Sequence, residues 1–558
     1  MRNRIVREIE SVKNEYKEKI AFIELEKMIV KKRVTYLELF EKISIIEKKL
    51  ENNGLRNTIC LLYFQSGIDV VATLLACFSA GVIPILRTIS PNLNEKGFYK
   101  QFFDLVKEVR NIGCVLVAED LLNLSEECKR NKINFMNVKT EKCDRIIKNI
   151  NRVNETKIDA DIIQLTSGSM KNSKLVKIRD EQLFANLNQC KKMWSVNEES
   201  TTVTWAPHSH IFGLVTGYLL PLYTGGTSVI MKPSDFSEDP VLWLEHISRF
   251  KATHSAGTNF AFQKCWENYD KERVQGLNLR TWKVASIGGE IVKHSTLKNF
   301  YEKYKKHEFD FRAFSPSYGM SENSGVVSSL LPSDKYFKVN VMNEALTQNK
   351  IVEQVTNFSC EIVSVGTPLI GTKIMVVDTK SGRELCGKEV GEILISSPSL
   401  CNGYMYGDNE DSFRLIPGNN GEIESYFKTG DLGFLKEGQL YITGRKKEII
   451  ISKGKNYSPY EIEKCAKKIS DTKLLGDGAV FSVEEKIVLF QEILEDFSRE
   501  KIEKLQDEIK NSIKIYLNLK INEVIFLKEG QIPRTMNGKI QRLKCSEIYK
   551  KIGTKEIS

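Results

Sequence analysis

The sequence predicts an α/β protein: a large N-terminal domain of βαβ subdomains, a small β-rich subdomain, and a small α+β C-terminal domain. Three observations carry this expectation. The chain has 558 residues, more than a single hydrophobic core organises, so two or more domains are expected. Strand-like apolar runs alternate with helix-like stretches through the first part of the chain. From about residue 360 short strands with Gly-rich turns (KIMVVD, GEILISS, QLYITG) replace that alternation.

Taken in order, Thr35-Tyr36-Leu37-Glu38 has the capping-box pattern and opens a helix with apolar positions at Leu37, Ile43, Ile46 and Leu50. The run 57–64 (NTICLLYF) reads as a strand, 67–80 as a helix and 82–86 as the next strand, the signature of a parallel βαβ unit. Similar strand-like runs recur at 114–117, 202–205, 228–231 and 283–287. The stretch 432–443 reads as a β-hairpin with Glu437-Gly438 at its tip. Beyond Gly444 comes a Lys-rich αβ stretch, with helices expected at 460–468 and 499–518. The expected boundary is the turn Gly444-Arg445-Lys446-Lys447, dividing the chain into 1–445 and 446–558.

Composition removes several classes of function. The net charge of +10 is spread along the chain without a dense basic block, so nucleic acid is not an expected partner, while the charge suits anionic partners such as nucleotides or an acidic carrier protein. The twelve cysteines are scattered without a CxxC pair, which argues against a disulfide framework or zinc site and for a reducing cytoplasm. The first 19 residues are charged and lack the apolar core of a signal peptide. No apolar run is long enough to span a membrane, and the Gly-interrupted apolar stretch 70–86 reads as a buried helix.

Three segments carry chemistry. Residues 165–176 (LTSGSMKNSKLV) come after a short apolar run and contain small hydroxylated residues and a glycine. Such a loop turns backbone N–H groups and hydroxyls toward phosphate oxygens, and Lys174 adds charge; the bland reading is a simple turn, and no Walker A pattern is present. In 428–454 (KTGDLGFLKEGQLYITGRKKEIIISKG), Thr429-Gly430-Asp431 places a carboxylate on a tight turn, suited to the hydroxyls of a ribose, and Arg445 lies on another turn. In 532–542 (IPRTMNGKIQR), Asn537-Gly538 presents Lys539 at a loop tip, either as a solvated charge or as a lysine reaching into a phosphate site.

Together these segments resemble the adenylate-forming superfamily of acyl-CoA synthetases, luciferases and peptide-synthetase adenylation domains, over roughly 20–550. The family's phosphate loop, TSGSTGxPKG, corresponds to Thr166-Ser167-Gly168-Ser169-Met170-Lys171-Asn172-Ser173-Lys174-Leu175. Met170, Lys171, Ser173 and Leu175 depart from it, and the loss of two glycines and the proline changes the stiffness of the loop. Gly288-Gly289-Glu290 matches the adenine-side turn, and Tyr318-Gly319-Met320-Ser321-Glu322 matches YGxTE. The resemblance implies that Tyr318 stacks on adenine, Ser321 contacts phosphate, Glu322 ligates Mg²⁺, Asp431 holds the ribose and Arg445 its phosphate side. It implies Lys447 as the hinge of a mobile C-terminal domain and Lys539 as the catalytic lysine.

A narrower resemblance, to the fatty acyl-AMP ligase branch, rests on VTWAPHSHIFGLVTGYLLPLYTGG, GTNFAF, GLNLRTWKVASIGGE and the extra segment between Glu322 and residues 362–366. Where that branch usually has His-Asp, this chain has His210-Ile211; His210 joins the catalytic set, more as pocket wall than as base. The implied activity is ATP-dependent conversion of a carboxylic acid, a fatty acid foremost, to acyl-AMP. The acyl group then passes to the phosphopantetheine thiol of an acyl or peptidyl carrier protein. An acyl-CoA ligase and a non-catalytic nucleotide- or acyl-binding relative stand as alternatives. The extra segment includes DKYFKVNVMNEAL, which mixes apolar and charged residues, and it reads either as an element docked between domains or as an exposed loop that tolerates insertion.

Overall fold

The computed structural model describes residues 3–65, 67–88, 95–109, 112–118, 122–139, 158–166, 174–332, 334, 336–407, 409–417, 423–535 and 538–552. Its first βαβ unit matches the apolar pattern closely. The strands Ile59–Phe64 and Ile83–Thr88 pair in parallel, joined by the helix Ile68–Ala80. That helix buries eleven of its thirteen residues, so it lies inside the fold and not on its surface. The capping box at Thr35 is formed: the Thr35 hydroxyl accepts from Glu38 N, and the Glu38 carboxylate accepts from Thr35 N. The buried face of this helix differs from the expected one at its start. Leu37 is half-exposed while Tyr36, Leu39 and Phe40 are buried, because the stripe that holds Ile43, Ile46 and Leu50 runs back through Tyr36 and Leu39 and passes Leu37 by.

Among the described residues, six strands form one sheet in the order 135–137, 112–117, 59–64, 83–88, 162–165, 175–178. Nine form a second, whose central strands Val284–Ile287, His254–Gly257, Thr201–Thr204, Thr227–Ile230 and Ile20–Glu26 run parallel. The expected β-rich region is a five-stranded antiparallel sheet containing Lys373–Val377, Gly391–Ser396, Ile423–Lys436 and Gln439–Arg445. The turn between its last two strands is at Glu437-Gly438, both in the left-handed region, as the sequence pattern predicts.

The C-terminal domain is small and α+β. The strands of its three-stranded sheet, Leu475–Val483, Lys486–Ile493 and Glu523–Lys528, alternate their side chains between two layers. Val480 and Leu489 pack with Ile462, Ile509 and Ile513 on one face. Phe481, Val488 and Phe490 pack with Ile532 and Cys545 on the other. No helix among the described residues is long and apolar enough to cross a membrane, and each described cysteine is free.

The nine-stranded sheet is stiffened by an aromatic cluster centred on the fully buried Trp243. Its ring meets those of Phe262 at 5.2 Å, Trp282 at 5.4 Å and Phe236 at 6.0 Å, and its Nε1 donates to Ser255 Oγ at 2.8 Å. Truncation would leave a cavity that such interlocked rings cannot close. Trp243→Ala is expected to destabilise the large domain by about 3–5 kcal/mol in denaturant titration; a loss below about 1 kcal/mol, the size of an average substitution, would contradict the packing described.

Candidate active site

In α/β proteins ligands bind where parallel strands end, because the loops leaving the carboxyl ends of the strands gather along one edge of the sheet. Thr201–Thr204 leads toward His210, His254–Gly257 to Asn259 and Phe260, and Val284–Ile287 to Gly288-Gly289-Glu290, while Phe314–Met320 carries Tyr318 and Gly319 and runs into Ser321-Glu322. Two of these glycines are required by close backbone approach. A Cβ on Gly288 would lie 2.7 Å from Ser317 O, and one on Gly319 would lie 2.4 Å from Gly325 O.

Asp431 and Arg445 sit on strands, not on the turns expected for them. Asp431 lies within Ile423–Lys436, and Arg445 ends Gln439–Arg445 as its direct cross-strand partner. Neighbours on both sides keep the chain extended there, and Gly430, at φ +71°, supplies the local bend. The Thr429 hydroxyl donates to Ile393 O at 2.7 Å and accepts from Asp431 N at 3.0 Å, which fixes the bend. The Asp431 carboxylate then receives Tyr318 Oη at 2.6 Å and Arg445 Nε at 3.0 Å. Burial, with the Asp431 carboxylate beside it, pushes the Tyr318 phenol well up, so it stays a donor. The Asp431 charge raises Arg445 further above its ordinary range.

One pocket is lined by Gly289, Glu290, Tyr318, Gly319, Asp431, Arg445 and Lys539, so both domains contribute to it. Burial, and then the charge of Arg445, lower the Lys539 ammonium to about 8; Glu448, Asp431 and Glu290 oppose the shift. Glu290 Oε1 accepts from Phe260 N at 2.6 Å, and burial raises this carboxyl above its usual value.

Gly288, Ser321, Glu322 and His210 are not in the lining of that pocket, although Glu322 feels the charges of Arg445 and Asp431, and His210 that of Lys539. Burial and Lys539 hold His210 down to about 4, so its imidazole is neutral at pH 7, and its Nδ1 accepts from Phe212 N at 3.3 Å. Burial raises the Glu322 carboxyl, which accepts from Tyr404 Oη at 2.9 Å. Lys174 lies 4.0 Å over the same Tyr404 ring. Thr166 and Lys174 close the base of their loop: Thr166 N donates to Lys174 O at 3.0 Å, and Lys174 N to Thr166 Oγ1 at 2.9 Å. Ser167, Gly168 and Ser169 lie outside the described residues. Lys447 is exposed in the turn after Arg445, away from the pocket lining.

Tyr404 and Phe260 were not singled out from sequence as site residues. Tyr404 sits in no recognised motif, and its link to Glu322 spans 82 positions. The segment after Glu322 forms the antiparallel pair Lys338–Met342 and Ser359–Val363 with the helix Asn343–Thr347 between them. It does dock against the C-terminal domain. Asn456 Nδ2 donates to Asn349 Oδ1 at 3.3 Å, Lys468 Nζ to Asn357 O at 3.1 Å, and the Phe358 and Tyr516 rings lie 5.7 Å apart.

Residues 9–405 match the model of a family described as AMP-binding enzyme. The chain is 32% identical over 539 residues to the medium-chain-fatty-acid–[acyl-carrier-protein] ligase JamA of Moorena producens (strain JHB), covering 92% of this chain and 89% of that protein. It is 25% identical over 545 residues to a putative fatty-acid–CoA ligase, fadD25, of Mycobacterium tuberculosis, covering 93% and 92%. Among solved structures it is similar to a fatty acyl-adenylate ligase of L. pneumophila in complex with acyl adenylate and pyrophosphate, with a TM-score of 0.72, 26% identity, and 98% and 95% of the two chains covered.

The setting of Lys539 predicts a titration that can be read without any assay of activity. In competitive amine acylation with detection by mass spectrometry, Lys539 of the folded protein is expected to titrate near 8, as burial beside Arg445 requires. A midpoint near the ordinary lysine value of about 10.4 would show that the ammonium does not occupy this pocket.

Proposed function

The chain belongs to the AMP-binding enzyme family, and from that premise we propose that it activates a fatty acid as acyl-AMP and transfers the acyl group to a carrier-protein thiol. The observation that carries this reading is the entry of Lys539, from the C-terminal domain, into the pocket that holds Tyr318, Asp431 and Arg445. A protein that only binds a nucleotide or acyl chain has no need of that lysine.

In the first step a carboxylate oxygen attacks the α-phosphorus of ATP, and the bond to pyrophosphate breaks. Both reactants are anionic, so the task is positioning and charge stabilisation. Asp431 takes the ribose hydroxyls, Arg445 the adjoining phosphate side, and Tyr318 with Gly288, Gly289 and Glu290 the adenine. By resemblance, the phosphates would fall to Thr166, Ser167, Gly168, Ser169, Lys174 and Ser321. Lys539 bridges the carboxylate and the α-phosphate. The acid arrives ionised, so no base is needed, and the neutral His210 lies outside the lining of the pocket that Lys539 enters.

Glu322 is the residue that would hold Mg²⁺. Among the described residues no group of three or more His, Cys, Asp or Glu forms a metal cage. A lone carboxylate suits this ion, which binds through one or two carboxylates and completes its shell with phosphates and water. When bound, Mg²⁺ neutralises phosphate charge.

In the second step a thiolate sulfur attacks the acyl carbon, and the bond to AMP breaks. That sulfur must approach where Lys539 sits, so the C-terminal domain moves. The reading places residues 1–445 in the adenylation domain and 446–558 in the mobile domain, with Lys447 as hinge. The separate hydrophobic cores from Ile450 onward support this division, as free cysteines support a cytoplasmic setting. The contacts of 349–358 with Asn456, Lys468 and Tyr516 support restraint of that motion and a carrier protein over free CoA as acceptor. Purified enzyme given ATP, Mg²⁺ and a cognate acid is expected to accumulate acyl-AMP in the presence of CoA and to acylate a holo carrier protein. Rapid acyl-CoA turnover would establish the CoA-ligase alternative instead.

A further inference from the structure

Lys539 enters the pocket from a short hairpin whose Arg534 and Gly538 both meet the Phe260 ring of the large domain. The hairpin is closed locally: Thr535 N donates to Lys539 O at 2.8 Å, and Lys539 N to Thr535 Oγ1 at 3.2 Å. These bonds shape the turn but do not aim it. Arg534, at the base of the hairpin, reaches across it. Its Nη1 donates to Gly538 O at 3.0 Å, directly before Lys539, and its Nη2 donates to Asp477 Oδ2 at 2.7 Å. Glu492 lies 3.8 Å from the same guanidinium. Asp477 is itself braced by Lys467 at 3.4 Å, so the anchor is fixed within the C-terminal domain.

The same guanidinium also meets the large domain. Its central carbon lies 5.4 Å from the centroid of the Phe260 ring, within cation–π range. Gly538 lies flat against that ring: with φ at +83°, a Cβ there would fall 2.3 Å from a Phe260 carbon. Phe260 is held in turn, its N–H bonded to the Glu290 carboxylate. An ion pair crosses nearby, Lys264 Nζ to Glu529 at 3.6 Å.

We propose that Arg534 is a positioning residue for adenylation, aiming Lys539 by clamping Gly538 between Asp477 and the Phe260 ring. The clamp has one half in each domain, so it forms only while Lys539 is in the pocket and separates when the C-terminal domain moves for thiol transfer. An arginine suits the task because its planar fork donates in two directions while its face stacks on the ring. The inference rests on the adenylation reading given above.

The test compares wild type, Arg534→Ala and Arg534→Lys in acid-dependent ATP–pyrophosphate exchange and in acyl transfer from supplied acyl-AMP. Arg534→Ala is expected to lower exchange kcat by about 10²-fold, the scale of a 1 Å misplacement, with ATP KM little changed and transfer spared. Arg534→Lys, which keeps the charge without the fork, is expected to recover part of the loss. Amine acylation gives a readout independent of activity. Lys539, faced by Arg445, Glu448, Asp431, Glu290 and His210, is expected to lose its titration near 8 in Arg534→Ala and return toward the ordinary lysine value. Unchanged exchange in Arg534→Ala, equal loss of both half-reactions, or an unmoved Lys539 titration would each overturn the inference while leaving the adenylation reading intact. A wild-type enzyme without acid-dependent exchange would overturn both.

Discussion

An ammonium taken out of water beside a guanidinium is not held in place by its own charge. Lys539 lies in that position next to Arg445, and its affinity for a proton is lowered accordingly. Carboxylates at Asp431, Glu290 and Glu448 offset part of the cost, and the remainder falls on the scaffold. The arrangement is costly by itself; in the proposed reaction phosphate and carboxylate anions offset that cost, because the same cations then face negative charge. That is the pattern expected of a site built for its transition state and not for itself. The rest of the structure can be understood as the means of bringing that one lysine to that one place.

Two kinds of scaffold do so. Parallel strands of the nine-stranded sheet end together and hand over Phe260, Gly289-Glu290 and Tyr318 as a fixed wall. The antiparallel sheet supplies Asp431 and Arg445 as cross-strand neighbours, locked by the ladder on either side. The C-terminal domain then presents Lys539 on a hairpin anchored in its own sheet through Asp477. Rigid elements thus carry the binding groups, while the lysine arrives on the part with a core of its own.

The elements were legible in the sequence where a local pattern sufficed. Alternating apolar runs gave away the strands Ile59–Phe64 and Val284–Ile287, Thr35 and Glu38 marked a helix start, and Glu437-Gly438 marked a hairpin tip. The pocket residues Tyr318, Asp431, Arg445 and Lys539 were legible through ordered motifs that resemble a family, not through periodicity. Backbone at Asp431 was misread as a turn because Thr429-Gly430 has turn composition, while the strands flanking it, distant in sequence, keep it extended. Tyr404 and Phe260 were illegible as site residues for the same reason. Each acts through partners far along the chain, and nothing in its immediate neighbours signals the contact. Leu37 shows the limit of reading residue type alone: it is apolar, yet the stripe set by Ile43, Ile46 and Leu50 runs through Tyr36 and leaves it half-exposed.

The central claim is that Lys539 serves adenylate formation and leaves before thiol transfer. Acid-dependent ATP–pyrophosphate exchange by Lys539→Ala, measured beside acyl transfer from supplied acyl-AMP, tests it most directly. The account predicts an exchange rate reduced by about 10²–10³ or more, the usual effect of removing a preorganised charge, with transfer retained. Equal loss of the two half-reactions, or exchange at the wild-type rate, would contradict it.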